Sequence, residues 1–244
     1  MSRAALSPLW SRRFWLLTSA ALLALGATLS LGVWQLSRAA QKLALHSVIE
    51  QRMALPPIDA ATLAAAPEPG ALMHRRASLQ GRWLPQHAVF LDNRQMRGLP
   101  GFFVLTPFQL EGSGAVLLVQ RGWVQRNFVD RARLPAVATP AGVLVLQGRI
   151  APPPSKLYEF QGAKGGAIRQ NLDLAEFQTE TGLALLPVSL LQTTGPADEG
   201  LLRDWPEPSL GNEKHYGYAF QWFGLSALIV ILYVWFQIVR RRPS

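Results

Sequence analysis

The chain has 244 residues, 49% of them hydrophobic and only 16% charged, against roughly 25% charged in an ordinary soluble domain. Its 24 Lys and Arg outnumber 15 Asp and Glu, a formal +9. Residues 1–13 hold Arg3, Arg12 and Arg13 without an acid, and residues 240–244 hold Arg240, Arg241 and Arg242 without one, so the excess is largely terminal and does not read as a nucleic-acid surface. The absence of Cys excludes disulfides, thiolate nucleophiles, Cys-ligated metals, iron–sulfur clusters and covalent c-type haem attachment.

Phe14 to Ser37 is an uncharged run dominated by Leu, Ala, Val and Trp, about 36 Å of helix and long enough to cross a bilayer. A cleaved signal peptide also begins with a basic segment, and Ala24 to Ala27 offers small residues to a peptidase. Apolar sequence nevertheless continues through Leu31, Val33, Trp34 and Leu36, past the roughly 7–15 residues of a signal core, which favours an uncleaved anchor. The Arg12–Arg13 pair reads as a positive-inside anchor rather than a twin-arginine export signal. A second uncharged run, Tyr216 to Val239, is equally apolar and is predicted to span as well.

Both arginine clusters point to cytoplasmic termini, residues 1–13 and 240–244, with segment 38–215 outside. Arg38 and Lys42 oppose this orientation, but nearby acids dilute them. Trp15 and Trp34 bracket the first run, and Tyr216, Tyr218 and Trp222 face Tyr233, Trp235 and Phe236 on the second, as interfacial aromatic belts do. The predicted fold class is a membrane protein with two transmembrane α-helices, 14–37 and 216–239, flanking one β-rich α+β extracytoplasmic domain, periplasmic in a bacterium.

Within 38–215, apolar runs bounded by Gly, Pro and Asn predict strands near Ala77–Trp83, Ala88–Asn93, Phe102–Leu110, Ala115–Val124, Gly142–Ile150 and Pro187–Thr193. Turns are predicted at Arg97–Gly101 and Glu111–Gly114. Two helices interrupt the pattern: an extension of the first span through Ala39–Gln51, and Leu174–Thr181, started by Asn171 or Asp173 and stopped by Gly182. Ala54–Gly70 and Ala151–Gly166, rich in Pro, Ala and Gly, read as connections. There is no internal repeat.

Catalytic machinery is not visible. The four His, at 46, 74, 87 and 215, have no i, i+3 or i, i+4 spacing for a shared metal. No Ser sits in a nucleophile elbow, and Asp92, Asp130, Glu159, Asp173, Glu176 and Glu180 are scattered. What stands out is chemistry at the outer ends of the two spans. Trp34 and Gln35 precede Arg38 on the first. His215, Tyr218 and Trp222 follow i, i+3, i+7 along one face of the second, a spacing suited to a planar apolar ligand with imidazole on its metal. Gln221 lies about 9 Å deeper than His215, so its carboxamide needs a partner, and Gln35 is a candidate. An interfacial His beside an aromatic belt is the plainer alternative.

LGVWQLSR (31–38), GRW (81–83), LDNRQMRGLPGFFVLTPF (91–108), LLVQRGWV (117–124) and KHYGYAFQWF (214–223), in that order, make the chain resemble the surfeit locus protein 1 family from about Arg13 to Arg240. The resemblance implies a non-enzymatic assembly factor for haem–copper oxidases, especially cytochrome c oxidase, in the bacterial inner membrane. It would bind haem a transiently and assist its insertion into the catalytic subunit, with haem a synthase as a further partner and membrane lipid around the spans. His215 matches the family His implicated in haem binding. Gln221 and Trp222, with Gly101, Arg121, Gly122 and Trp123, also fall in family motifs. Gly98 and Gly101 would supply the backbone angles of a tight hairpin, Trp123 would pin a strand to the core, and Arg121 either pairs a haem propionate or bonds a neighbouring carboxylate or turn carbonyl. Gln125 replaces a Pro frequent in the family, and Glu213–Lys214 replaces an Asn. The alternative is a cofactor-free membrane scaffold that stabilises an oxidase subunit.

Overall fold

The computed structural model describes residues 12–130, 134–158, 166–205 and 212–240. Arg3, Glu159, Arg241 and Arg242 lie outside them. The chain divides into a helical unit, Met1–Val48 with Pro208–Ser244, and a β unit, Ile49–Glu207.

The helical unit is built from α1 (Arg12–Ala54) and α4 (Asn212–Val234), the latter closed by a π turn at Trp235–Val239. The first predicted span and its predicted extension are thus one uninterrupted helix, whose last residues enter the β unit. Within the helical unit, the described residues that α1 and α4 bury are small: Gly32, Ala39, Ala219 and Ser226. A Cβ on Gly32 would stand 2.8 Å from two ring carbons of Phe223, so glycine makes room on α1 for that ring of α4.

The β unit contains β1 (Arg76–Trp83), β2 (Val89–Met96), β3 (Leu99–Leu110), β4 (Val116–Gln125), β5 (Leu144–Ala151), β6 (Ile168–Arg169) and β7 (Leu185–Gln192). All six predicted strands are present within a few residues. β1 pairs with β5, β5 with β7, β7 with β4, β4 with β3, and β3 returns to β1. Five strands therefore close into a barrel, which leaves none of these five at an edge of the ring. Only β4–β7 within this ring is parallel. β2 extends the sheet from β3, and β6 adds to β2 in parallel.

Leu79, Trp83, Phe108, Leu117, Val119, Leu146, Ile150, Val188 and Leu190 fill one core. Val89, Leu91, Leu105 and Leu118 form a second under Phe177 of α3 (Leu174–Thr181). β4 is buried from Val116 to Trp123 because alternate residues serve the two cores, Leu117 and Val119 on one side and Leu118 on the other.

Local signals explain the short elements. Asp173 caps α3, accepting from the amides of Ala175 and Glu176, and Gly182 ends it in the left-handed region. Asn171 instead exchanges two hydrogen bonds with Leu157. The Ala54–Gly70 connection hides a helix, α2 (Ala60–Ala65), capped by Asp59 accepting from the Thr62 amide at 2.8 Å. The β2–β3 turn is tighter than predicted: Arg97 (φ 51°) and Gly98 (φ 78°) alone have positive φ, the two-residue turn whose twist suits a hairpin.

Both ends of the β unit lie beside neighbouring strands. Ile58 bridges Ala77, Ala77 pairs with Gly148, Gly148 with Gln192, and the indole of Trp205 donates to the Gln192 carbonyl at 2.7 Å. Four such spacings put entry and exit within about 20 Å.

Candidate functional site

In the helical unit, the polar side chains of α1 and α4 meet at three levels. The hydroxyls of Thr18 and Tyr233 are 2.8 Å apart, those of Thr28 and Ser226 2.7 Å, and Gln35 Oε1 lies 2.7 Å from His215 Nδ1. Their order, rising on α1 and falling on α4, is that of an antiparallel pair. A carboxamide oxygen only accepts, so this contact is made by the tautomer with its proton on Nδ1, the one that turns the Nε2 lone pair away from Gln35. A ring held at Nδ1 with a basic Nε2 is the arrangement of metal-ligating histidines.

Around this end, Trp34 is half exposed, with the Arg38 guanidinium 5.7 Å from its ring centroid. Arg38 also donates to Gln41 at 3.2 Å. Tyr218 is 52% exposed, and His215 and Trp222 are partly covered. His215, Tyr218 and Trp222 share a face of α4 as their spacing requires. The candidate Gln221–Gln35 pair is not formed. Gln35 bonds His215, and Gln221 is exposed on α4, because it lies nearly two turns along from His215, off the Gln35 level. The sequence reading missed the Thr28–Ser226 and Thr18–Tyr233 contacts, although hydroxyl residues inside otherwise apolar runs were the available signal.

The motif residues of the β unit build a different structure. Val104 pairs with Gly122 and Leu105 with Gln120, so Arg121 is the extra residue of a bulge in β4, a device that re-aims a side chain. Arg121 is 1% exposed. Its guanidinium donates to Glu199 Oε1 at 3.0 Å, to the Ala138 carbonyl at 2.7 Å and to Thr139 Oγ1 at 2.7 Å, and its Cζ lies 4.5 Å from the Trp83 ring centroid. Burial holds Arg121 below the ordinary guanidinium value, and Glu199 opposes that shift. Arg203, one helical turn after Glu199 in sequence, bonds the other carboxylate oxygen. Of the two roles considered for Arg121, the structure shows the contacts of the second, a neighbouring carboxylate, Glu199, and a loop carbonyl, that of Ala138.

Beyond the bulge, β4 is bordered by the segment around Leu202, whose amide and carbonyl exchange bonds with Trp123. A Cβ on Gly122 would lie 2.8 Å from Leu201 Cβ and 2.9 Å from the Leu202 carbonyl. Trp123, 2% exposed, donates its indole N–H to the Arg94 carbonyl at 2.9 Å. Gly101 is needed for space rather than for turn angles. It lies in β3 without positive φ, and a Cβ there would be 2.3 Å from the Val124 carbonyl and 2.5 Å from the Trp123 ring. Among the described residues, no cluster of three His, Asp or Glu is arranged for a metal.

A five-stranded barrel joined at both ends to long apolar helices defines the class of protein to which the comparisons give a name. The model of the SURF1 family matches residues 22–227, and the chain belongs to that family. It is 26% identical to a SURF1-like protein of Rickettsia bellii over 215 residues, 83% of each chain. It is 27% identical to a SURF1-like protein of Drosophila melanogaster over 241 residues, 88% of this chain and 75% of the fly protein. A Saccharomyces cerevisiae relative named cytochrome oxidase assembly protein SHY1 is 27% identical over 136 residues, 55% of this chain and 35% of the yeast protein.

Proposed function

We propose that this protein is a membrane-anchored assembly factor for a haem–copper terminal oxidase of the cytochrome c oxidase type, and that it assists haem a insertion into the catalytic subunit. In this reading 14–37 and 216–239 cross the bacterial inner membrane, both termini are cytoplasmic and the β unit is periplasmic. Family membership and the yeast relative's name support the assembly role. In the most apolar 18-residue stretches of α1 and α4 only 6% and 11% of residues are buried, and a lipid solvent accounts for so much outward-facing apolar surface.

The observation that carries the cofactor part is the His215–Gln35 contact at 2.7 Å. It presents Nε2 as a candidate axial ligand, with Tyr218, Trp222 and Trp34 as aromatic neighbours and Gln221 along the same helix. A single His suits transient holding better than a closed two-ligand cage. The oxidase catalytic subunit, and a haem a synthase as donor, are the partners this role requires. A second reading, a cofactor-free scaffold, draws support from Arg121, the motif cation of the β unit, which serves Glu199.

Reduced-minus-oxidised spectra of membranes with and without the gene, beside the purified protein from haem-a-producing cells, test the two readings. Loss of membrane haem a together with a haem band on the protein fits delivery, whereas loss without a band fits the scaffold. Unchanged membrane haem a contradicts both.

A further inference from the structure

The loop that leaves β4 ends in an apolar tip. Asn127 Oδ1 accepts from the amides of Val129 at 2.8 Å and Asp130 at 3.1 Å, an Asx turn that fixes the backbone locally. Arg126 anchors the base: its amide donates to the Pro100 carbonyl and its guanidinium to Asp92 at 3.2 Å. On this pinned turn Phe128 is 61% and Val129 98% exposed. Hydrophobic residues are costly to hold in water on a rigid support, and two in succession at a turn apex form a wedge rather than a patch.

The rim of the barrel that carries this tip is also the one from which the chain leaves. Pro100, which receives the Arg126 amide, follows the β2–β3 turn, and Arg97 in that turn bonds Asp204. Asp204 lies only eight positions before Asn212, the first residue of α4, within at most about 29 Å of extended chain. Charge fits the same occupant. In the sequence, segment 127–133 has Arg131 and Arg133 against Asp130, a net positive stretch of the kind that suits an anionic lipid surface. A two-residue wedge is far smaller than the roughly 800 Å² per partner of a stable protein interface.

We infer that Phe128 and Val129 dip into the interfacial layer of the bilayer, giving the β unit a contact with lipid in addition to its two covalent tethers. This rests on the reading of α1 and α4 as membrane spans. Because the chain has no Cys, single cysteines can be labelled selectively in the full-length protein. Val129→Cys reports the tip, Leu22→Cys the apolar part of α1, and Ser113→Cys the turn at the other end of the β3–β4 hairpin, about 33 Å away along β4. Each is labelled with an environment-sensitive fluorophore and reconstituted in nanodiscs of phosphatidylcholine and phosphatidylglycerol, with or without nitroxide-bearing lipid.

The inference predicts blue-shifted emission and at least about twofold quenching at 129 and 22, and neither at 113. Quenching at 22 without quenching at 129 overturns the lipid contact and leaves the spans standing. Quenching at neither overturns both. Equal quenching at 113 and 129 also overturns it, since a specific tip cannot then be distinguished from a domain lying flat.

Discussion

The two units of this protein are built inside out relative to each other. In the β unit, Leu79, Phe108, Leu117 and Leu190 are sealed inside while most charges face water. In the helical unit, Leu22, Leu23, Phe220 and Ile231 face outward, and the side chains that meet between helices are Thr18, Thr28, Gln35, His215, Ser226 and Tyr233. The hydrophobic effect explains the first pattern. It cannot drive the second in water, but in lipid, where apolar contact gives no advantage, close packing at Gly32 and interhelical hydrogen bonds hold helices together. On the proposed reading of α1 and α4 as membrane spans, one chain is folded for two solvents, and a polar group has opposite meanings in each. Arg121 inside the barrel is a structural liability neutralised by Glu199. His215 on the helical unit is held by Gln35 through Nδ1.

Substitutions sharpen that contrast, beginning with the β unit. Arg121→Met leaves Glu199, whose side chain is 3% exposed, with Arg203 alone, and is expected to cost about 3 kcal/mol in denaturant unfolding of the full chain followed by tryptophan fluorescence. A loss below about 1 kcal/mol would show that the buried pair is not a keystone. Gly101→Ala follows at about 2 kcal/mol, because the new methyl meets backbone and the Trp123 ring. Gly98→Ala, with open space but φ 78°, is expected to cost about 1 kcal/mol, so the order of these two variants separates the space requirement from the angle requirement.

Acid provides a gentler perturbation. Burial, then Arg149 and Arg52, hold His74 below its ordinary value of 6.5. A histidine kept neutral in the fold contributes stability that is complete above its unfolded value and is lost as pH falls through the depressed folded value. The unfolding midpoint is therefore expected to drop below about pH 6.5, with a shallower drop in His74→Gln. An unchanged slope in that variant would assign the acid sensitivity elsewhere. Smallest of all is Thr28→Val in the helical unit, expected to weaken helix pairing by about 0.6 kcal/mol, measured by energy transfer between labelled helices in a bilayer.

Much of this fold was legible because its signals are local. The uncharged runs at 14–37 and 216–239, the alternation of the strands, and Asp173 with Gly182 around α3 each depend on neighbours in sequence. Barrel closure does not: the β3–β1 return rests on Gly81, Arg82 and Trp83 meeting Leu110, Gln109 and Phe108, a pairing no local pattern announces. α2 was hidden because its Ala-rich text lies among prolines, although Asp59 and Thr62 carried a capping signal. At the candidate site, the residues were legible and the pairings were not. Gln35 was one candidate partner for Gln221 and instead holds His215, since register along two helices is set by packing at Gly32 and Phe223. Glu199 was invisible as the partner of Arg121 because they are joined only by the folded barrel.

The central claim is that His215, oriented by Gln35, is a haem ligand. The most direct measurement is the reduced-minus-oxidised visible spectrum, with haem-to-protein stoichiometry, of the full chain and of His215→Ala and Gln35→Leu purified from haem-a-producing cells. The account predicts a haem band on the unsubstituted protein, its loss in His215→Ala, and roughly 10-fold or greater weakening in Gln35→Leu, the scale expected when the residue orienting a metal ligand is removed. A His215→Ala protein that keeps haem a at full occupancy would contradict it.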